Sequence, residues 1–292
     1  MSRSDSLLRQ ALFAALVLVV LSLPFISIAP STPSGKGTGT RGPRASDEWN
    51  GTEADSEADD ESLDPRLGII QGRVVIHGKP PVLSPPIIVP ASHPDVAKCV
   101  ATVHDDRLIV SKDQGVKNSV VYVADLDAKK GGIPGRDYTL KGAPPPPATG
   151  KVTIECKGCM FSPRVTAVSL GTGIQLANAD PFIHNTRGVL AAAGIAGSNA
   201  LPGKGRIRPK YTRKTGWGLL QCDYHRWMQA HVHVFDHLCF DVTEADGTFR
   251  IVNVPPGQYQ LRVWHEVLQN TELRVNVVAG GTTEVEVRIA AH

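Results

Sequence analysis

From Leu67 onward no stretch keeps the 3.6-residue period of a helix. Apolar and polar residues alternate instead in short runs, cut by clusters of Gly, Pro and Asp. That pattern commits most of the chain to half-buried strands. Strands are predicted at Gly68–His77, Pro86–Val89, Ser119–Ala124, Lys151–Glu155 and Ile174–Ala177. Gly216–Gln221 and His231–Phe235 follow, and Gly247–Val252, Tyr259–Val263, Leu273–Val278 and Thr283–Ile289 form a second set. The Pro144–Pro147 run reads as a rigid connector, because proline cannot donate to a ladder. With 28 Gly and 22 Pro in 292 residues the chain can afford many turns. The expectation is an all-β protein of two sandwiches, 67–237 and 238–292.

The first 66 residues follow other rules. Arg3 and Arg9 precede Ala11–Ala29, a stretch without a charge that is long enough to span a bilayer. Pro30 directly after Ala29 makes a poor cleavage site. Residues 1–29 are therefore expected to be a signal anchor, a transmembrane helix whose basic flank stays in the cytoplasm while the rest is exported, periplasmic or extracellular. Residues 30–66 are Ser-, Gly-, Pro- and acid-rich with little to bury, and read as a disordered acidic linker. Nine carboxylates and no Lys or Arg fall in 47–64, residues 1–46 carry +4, and so 65–292 carry about +8 of the chain's net +3. An anionic partner suits that balance. No nucleic-acid motif accompanies the charge.

One cluster carries chemistry. Residues 221–228 read Gln-Cys-Asp-Tyr-His-Arg-Trp-Met. Cys222, His225 and Met228 at C-x2-H-x2-M spacing place a thiolate, an imidazole and a thioether on one tight loop between two strands. A further imidazole, His184, closes Asn178-Ala179-Asp180-Pro181-Phe182-Ile183-His184-Asn185, after the strand Ile174–Ala177. Two imidazoles, one thiolate and a weak axial thioether are the donors of a mononuclear type 1 copper site. Zinc competes for a bare C-x2-H. Asn185 is positioned to tie the two ligand loops through its amide.

The loop Cys222–Met228 resembles the copper loop of amicyanin. The region around it resembles the cupredoxins, and Asn178–Asn185 resembles the part that carries their first His ligand. The resemblance implies a Greek-key β-sandwich, one copper ion and one-electron transfer, with His184, Cys222, His225 and Met228 as ligands. It is good over 150–238 and poor over 67–150. Arg226 stands where a Pro often follows the second His ligand, and it adds a positive charge beside the site. Downstream, Thr243-x2-Asp246-Gly247-x-Phe249-x-Ile251-x-Asn253-Val254-Pro255-Pro256-Gly257-x-Tyr259-x-Leu261 resembles the carboxypeptidase-regulatory-like, transthyretin-like module. That implies a small sandwich without catalysis, and some related sandwiches bind carbohydrate. The chain as a whole resembles exported bacterial methylamine-utilisation-like proteins. Asp246-Gly247 and Pro255-Pro256-Gly257 are expected to make hairpin turns. At about 50 residues the module is short, and is expected to take strands from its neighbour.

If Cys222 holds copper, four cysteines remain: Cys99, Cys156, Cys159 and Cys239. Export permits disulfides, and three connectivities are open. Cys99 is expected to pair with Cys156 or Cys159. Cys156-Lys157-Gly158-Cys159 lacks the helix that redox chemistry at C-x2-C requires. His231 and His233 share one strand face, expected to be polar or interdomain, and Trp264-His265 is expected to be packed. Lys204, Arg206, Arg208, Lys210, Arg213 and Lys214 read as a solvated loop or a docking patch for an acidic redox partner. The expected function is electron transfer rather than catalysis. The alternative is a binding module for carbohydrate or a cell-surface ligand with a structural or copper-storage site.

Overall fold

The computed structural model describes residues 63–85, 87–126, 138–143, 150–188 and 197–291, which lie in one compact unit, Ala58–His292. The expected anchor 1–29 and the linker up to residue 62 lie outside the described residues. Among the described residues no helix is long and apolar enough to cross a membrane. The architecture is almost wholly β, as the alternation requires.

Among the described residues nine strands build the first sandwich: β3 (Lys151–Lys157), β4 (Met160–Ser162), β5 (Val165–Ser169), β6 (Gly173–Asn178), β7 (His184–Gly188), β8 (Gly197–Leu201), β9 (Lys210–Tyr211), β10 (Gly216–Cys222) and β11 (Gln229–Phe235). They form two sheets, β4-β3-β6-β9 and β5-β11-β10-β7-β8. Ile154, Leu176, Leu220, Val232 and Val234, drawn from both sheets, fill the core. The second sandwich holds β1 (Gly68–His77), β2 (Val120–Ala124), β12 (Phe240–Val242), β13 (Thr248–Val254), β14 (Gly257–Trp264), β15 (Thr271–Val277) and β16 (Thr282–Ala290), in sheets β13-β1-β16 and β12-β2-β14-β15.

The strands at 68–77 and 120–124, expected in the first sandwich, thus lie in the second. β1 pairs in parallel with β16 and antiparallel with β13, and β2 pairs with β12 and β14. The physical reason is the shortage anticipated above: five C-terminal strands cannot cover two faces of a core alone. The two Gly turns also differ from hairpins. β12 and β14 belong to one sheet and β13 to the other, so Asp246-Gly247 and Pro255-Pro256-Gly257 each carry the chain across the core. Gly247 sits at φ +85° with its nitrogen donating to Glu244 O, a turn that favours glycine. Pro86–Val89 was expected as a strand; residues 87–90 are irregular, and Pro85, Pro86 and Pro90 supply no ladder donors.

The two sandwiches meet face to face, and strand alternation explains how. On β11, Ala230, Val232 and Val234 enter the first core, while Phe235 joins Val120, Tyr122, Ala124 and Tyr138 in a separate interface cluster. On β2, Val121 and Val123 face the second core. Hence β2 is buried on both faces and β11 along nearly its whole length. His231 and His233 take the interdomain face. Trp264 packs at 5.1 Å from His231 and 4.4 Å from His233 between ring centroids.

Candidate metal centre

The ligand loop is the six-residue connection between β10 and β11, closed at its base by the Gln221–Gln229 pair. Cys222 ends β10, and its side chain falls on the inward face with Leu220. Inside the loop, Met228 N donates to His225 O at 2.8 Å, and Cys222 N donates to Met228 O at 3.3 Å. These bonds fold Cys222, His225 and Met228 onto one turn. β7 pairs with β10, Thr186 opposite Cys222, and so delivers His184, its first residue, to the same end of the sandwich.

Three of the expected donors converge. His184 Nδ1 and His225 Nδ1 each lie 3.6 Å from Cys222 Sγ. The three residues are sealed from solvent, at 0%, 0% and 2% exposure. Met228 is equally buried and packs in the same cluster as Cys222. With metal–ligand distances of about 2.0–2.1 Å to nitrogen and 2.3 Å to sulfur, as for zinc, a 3.6 Å gap subtends roughly 110° at an ion. That suits a tetrahedral or trigonal centre. The donor chemistry discriminates further: a thioether is a poor zinc ligand and a suitable weak copper ligand.

Electrostatics prepare the thiol. Burial pushes the Cys222 thiol up, but hydrogen bonds from His184 and His225 outweigh it and bring it down to about 6. His184 is pushed down by burial, yet Asp180 and the Cys222 sulfur prevail and raise it to about 9. The two other free thiols go the opposite way. Cys239 rises to about 12 by burial, and burial pushes Cys156 higher still. Only the thiolate ligates a metal, so among the free cysteines Cys222 alone is poised to do so near neutral pH.

The outer nitrogens of both imidazoles face carboxylates. His184 Nε2 lies 2.9 Å from Asp180 Oδ2, and His225 Nε2 lies 3.3 Å from Asp95 Oδ2. Asp180 is itself fixed by the amides of Gly158 (2.7 Å) and Cys159 (3.0 Å). Asn178 organises the same loop: its Nδ2 donates to the carbonyls of Phe182, Leu201 and Pro202, and its Oδ1 accepts from Asp180 N. Asn185 bonds to the other ligand loop: its side-chain Nδ2 donates to Asp223 Oδ2 at 3.0 Å and its backbone carbonyl accepts from Asp223 N. Asp180 lay inside the quoted motif, four residues before His184, but residue type alone gives it no direction. Asp95, His93 and Trp227 had no signal. Asp95 and His93 lie in a region without a recognisable pattern.

Cys99 pairs with Cys159, and Cys156 and Cys239 are free and buried. Cys156-Lys157-Gly158-Cys159 is the corner of the β3–β4 hairpin. Gly158 and Cys159 both sit at φ 59°, the two-residue turn that matches strand twist. That turn separates Cys156 from Cys159 and explains why they do not bridge.

No protein-family model matches the chain, and no curated protein sequence matches it. Parts of it are similar to solved copper proteins. A mutant of amicyanin in the Cu(I) form is 18% identical, over 28% of this chain and 80% of that one, with a TM-score of 0.25. A second amicyanin mutant in the Cu(I) form is 19% identical over 32% and 94%, with a TM-score of 0.26. A copper-containing nitrite reductase from Thermus scotoductus SA-01 is 24% identical over 30% of this chain and 23% of that one, with a TM-score of 0.27. The likeness is remote, and the reading of the site rests on its own donors.

Proposed function

We propose that the chain is a mononuclear type 1 copper protein that transfers single electrons. The observation that carries this reading is the pair of imidazole Nδ1 atoms at equal 3.6 Å distance from one sealed thiol, with Met228 on the same loop. His184, Cys222 and His225 would hold the ion and Met228 would supply the weak fourth contact. Copper would supply a one-electron couple. The chain's part is to exclude water and to fix the donors. Loop bonds, the β7–β10 pairing and the Asn185–Asp223 bond all resist ligand movement between oxidation states. With four donors from the chain there is no open position for a substrate, which favours a carrier over an enzyme.

The setting belongs to the same proposal. The chain is exported and held to a membrane by residues 1–29, and the second sandwich is a transthyretin-like module that supports the copper domain. The redox partner is a protein with an acidic surface. A cleft of about 310 Å³ lined by Arg187, Gln221, Cys222, Asp223 and Arg226 lies at the end of β10 beside the ligand loop. Exposed Lys204, Arg206, Arg208, Arg213 and Lys214 add positive charge on the same sandwich.

Copper titration tests the function. One equivalent of Cu(II) should give an intense visible absorption from thiolate-to-copper charge transfer, bleached by one electron and restored on reoxidation. Colour that survives Cys222→Ala, or a loaded protein without colour, overturns it.

A further inference from the structure

The segment before Cys99 is folded over the outer edge of the site. α1 (Val96–Cys99) is a single turn, and Asp95 immediately precedes it. Asp95 Oδ2 lies 3.3 Å from His225 Nε2, close but out of line for a hydrogen bond, and that nitrogen has no hydrogen-bond partner and no solvent contact. His93 Nε2 donates to Tyr224 O at 2.8 Å, and its ring lies 5.0 Å from that of His225. Lys98 pairs with Asp95 at 2.8 Å and sits 4.9 Å over the ring of Phe182, which itself packs 5.3 Å from His184 and 5.7 Å from His225. Trp227 closes the remaining side, 5.3 Å from His225, with its indole N–H on Cys159 O at 2.9 Å.

Covalent chemistry joins this segment to the opposite wall. Cys99 ends α1, and Cys159 is the residue whose amide binds Asp180. The sulfurs of Cys99 and Cys159 and a ring nitrogen of His225 lie within 4.8 Å of one another. Thr102 Oγ1 donates to Gly158 O at 2.6 Å, a second tie between the same two segments.

We propose that Asp95 is the positioning residue of the His225 ligand, as Asp180 is of His184, and that the Cys99–Cys159 disulfide fastens both carboxylates to the site. The proposal rests on the copper reading above. A carboxylate on the remote nitrogen fixes the imidazole's tautomer and orientation and makes it a more basic donor. Two such carboxylates favour the more highly charged Cu(II) state over Cu(I). The disulfide then does more than stabilise the fold: without it, only non-covalent contacts of Lys98, His93 and Thr102 hold the Asp95 segment against the site.

The test uses the full chain and the variants Asp95→Asn, Asp95→Glu, Asp95→Ala and Cys99→Ser/Cys159→Ser. Chelator competition measures Cu(II) and Cu(I) affinities separately. Asp95→Asn should weaken Cu(II) binding by about 10–100-fold, with a much smaller effect on Cu(I), and Asp95→Glu should recover most of it. The serine pair should shift the ratio the same way, and adding it to Asp95→Asn should change little more. A purely structural role would lower both affinities alike. In the metal-free protein, 15N NMR should show slow solvent exchange of the His225 Nε2 proton in the parent, and fast exchange in Asp95→Ala and in the serine pair. Unchanged affinity ratios in Asp95→Asn, or slow exchange that persists in the serine pair, overturns the proposal. A parent that takes up no copper defeats the function proposed above, and the exchange rates then decide this one alone.

Discussion

Replacing Arg164 by Met tests how the two sandwiches are held together. Arg164 stands just before β5 in the first sandwich and is 5% exposed. Its Nε and Nη2 donate to Glu266, just after β14 of the second sandwich, at 2.5 and 2.8 Å, and its Nη1 donates to Asp106 at 2.6 Å. Burial pushes Glu266 up, but Arg164 and His231 outweigh it and hold its carboxyl down to about 2, against 4.5 ordinarily. A depressed folded-state value gives stability that is present above 4.5 and lost as the pH falls toward 2. At about 1.4 kcal/mol per unit that pairing is worth about 3 kcal/mol at neutral pH. Arg164→Met removes the cation and leaves two buried carboxylates, and a broken buried pair costs about 3–5 kcal/mol. Urea unfolding at pH 7 should show a loss in that range. Part of the loss should be recovered at pH 5, relative to the parent at the same pH, as the orphaned acids take up protons. A loss below about 1 kcal/mol at pH 7, or one that widens at pH 5, would refute the reasoning.

Other outcomes follow from the same geometry. His237 and His265 are held neutral by burial, each at about 4. The unfolded chain binds their protons first, so stability should fall as the pH drops from 6.5 toward 4, by about 2 kcal/mol per residue at pH 5; a flat profile in urea unfolding between pH 7 and 5 contradicts this. Asp180→Asn, which weakens the partner of His184 Nε2, should reduce metal affinity by about 10–100-fold in a chelator competition. The Cys99–Cys159 link closes a separation of 60 residues. Its removal should cost about 4 kcal/mol in the loop-entropy treatment, read as a lower urea midpoint.

Alternation in strings such as GRVVIH, HVHVF and QLRVW made the strand content legible, because a pleated strand with one buried face leaves a period of two. Partner choice was not legible. Nothing in Gly68–His77 distinguishes pairing with Lys151–Lys157 from pairing with Thr282–Ala290, since ladders use backbone groups common to every residue. Likewise Asp246-Gly247 marks a turn, but not whether the strands it joins stay in one sheet. At the site, Cys222, His225 and Met228 were readable because one loop sets their spacing, and His184 because Asn178–Asn185 is distinctive. Asp95 was not: it reaches His225 from 130 positions away, through a disulfide whose pairing the spacing of five cysteines left open.

Copper K-edge X-ray absorption on the loaded protein tests the central claim most directly. The arrangement of His184, Cys222 and His225 around one point predicts two nitrogen donors and one sulfur donor at bonding distance per copper, the sulfur being lost in Cys222→Ser. A first shell of nitrogen and oxygen alone in the parent, or a short sulfur shell at about 2.3 Å that persists in Cys222→Ser, would contradict it.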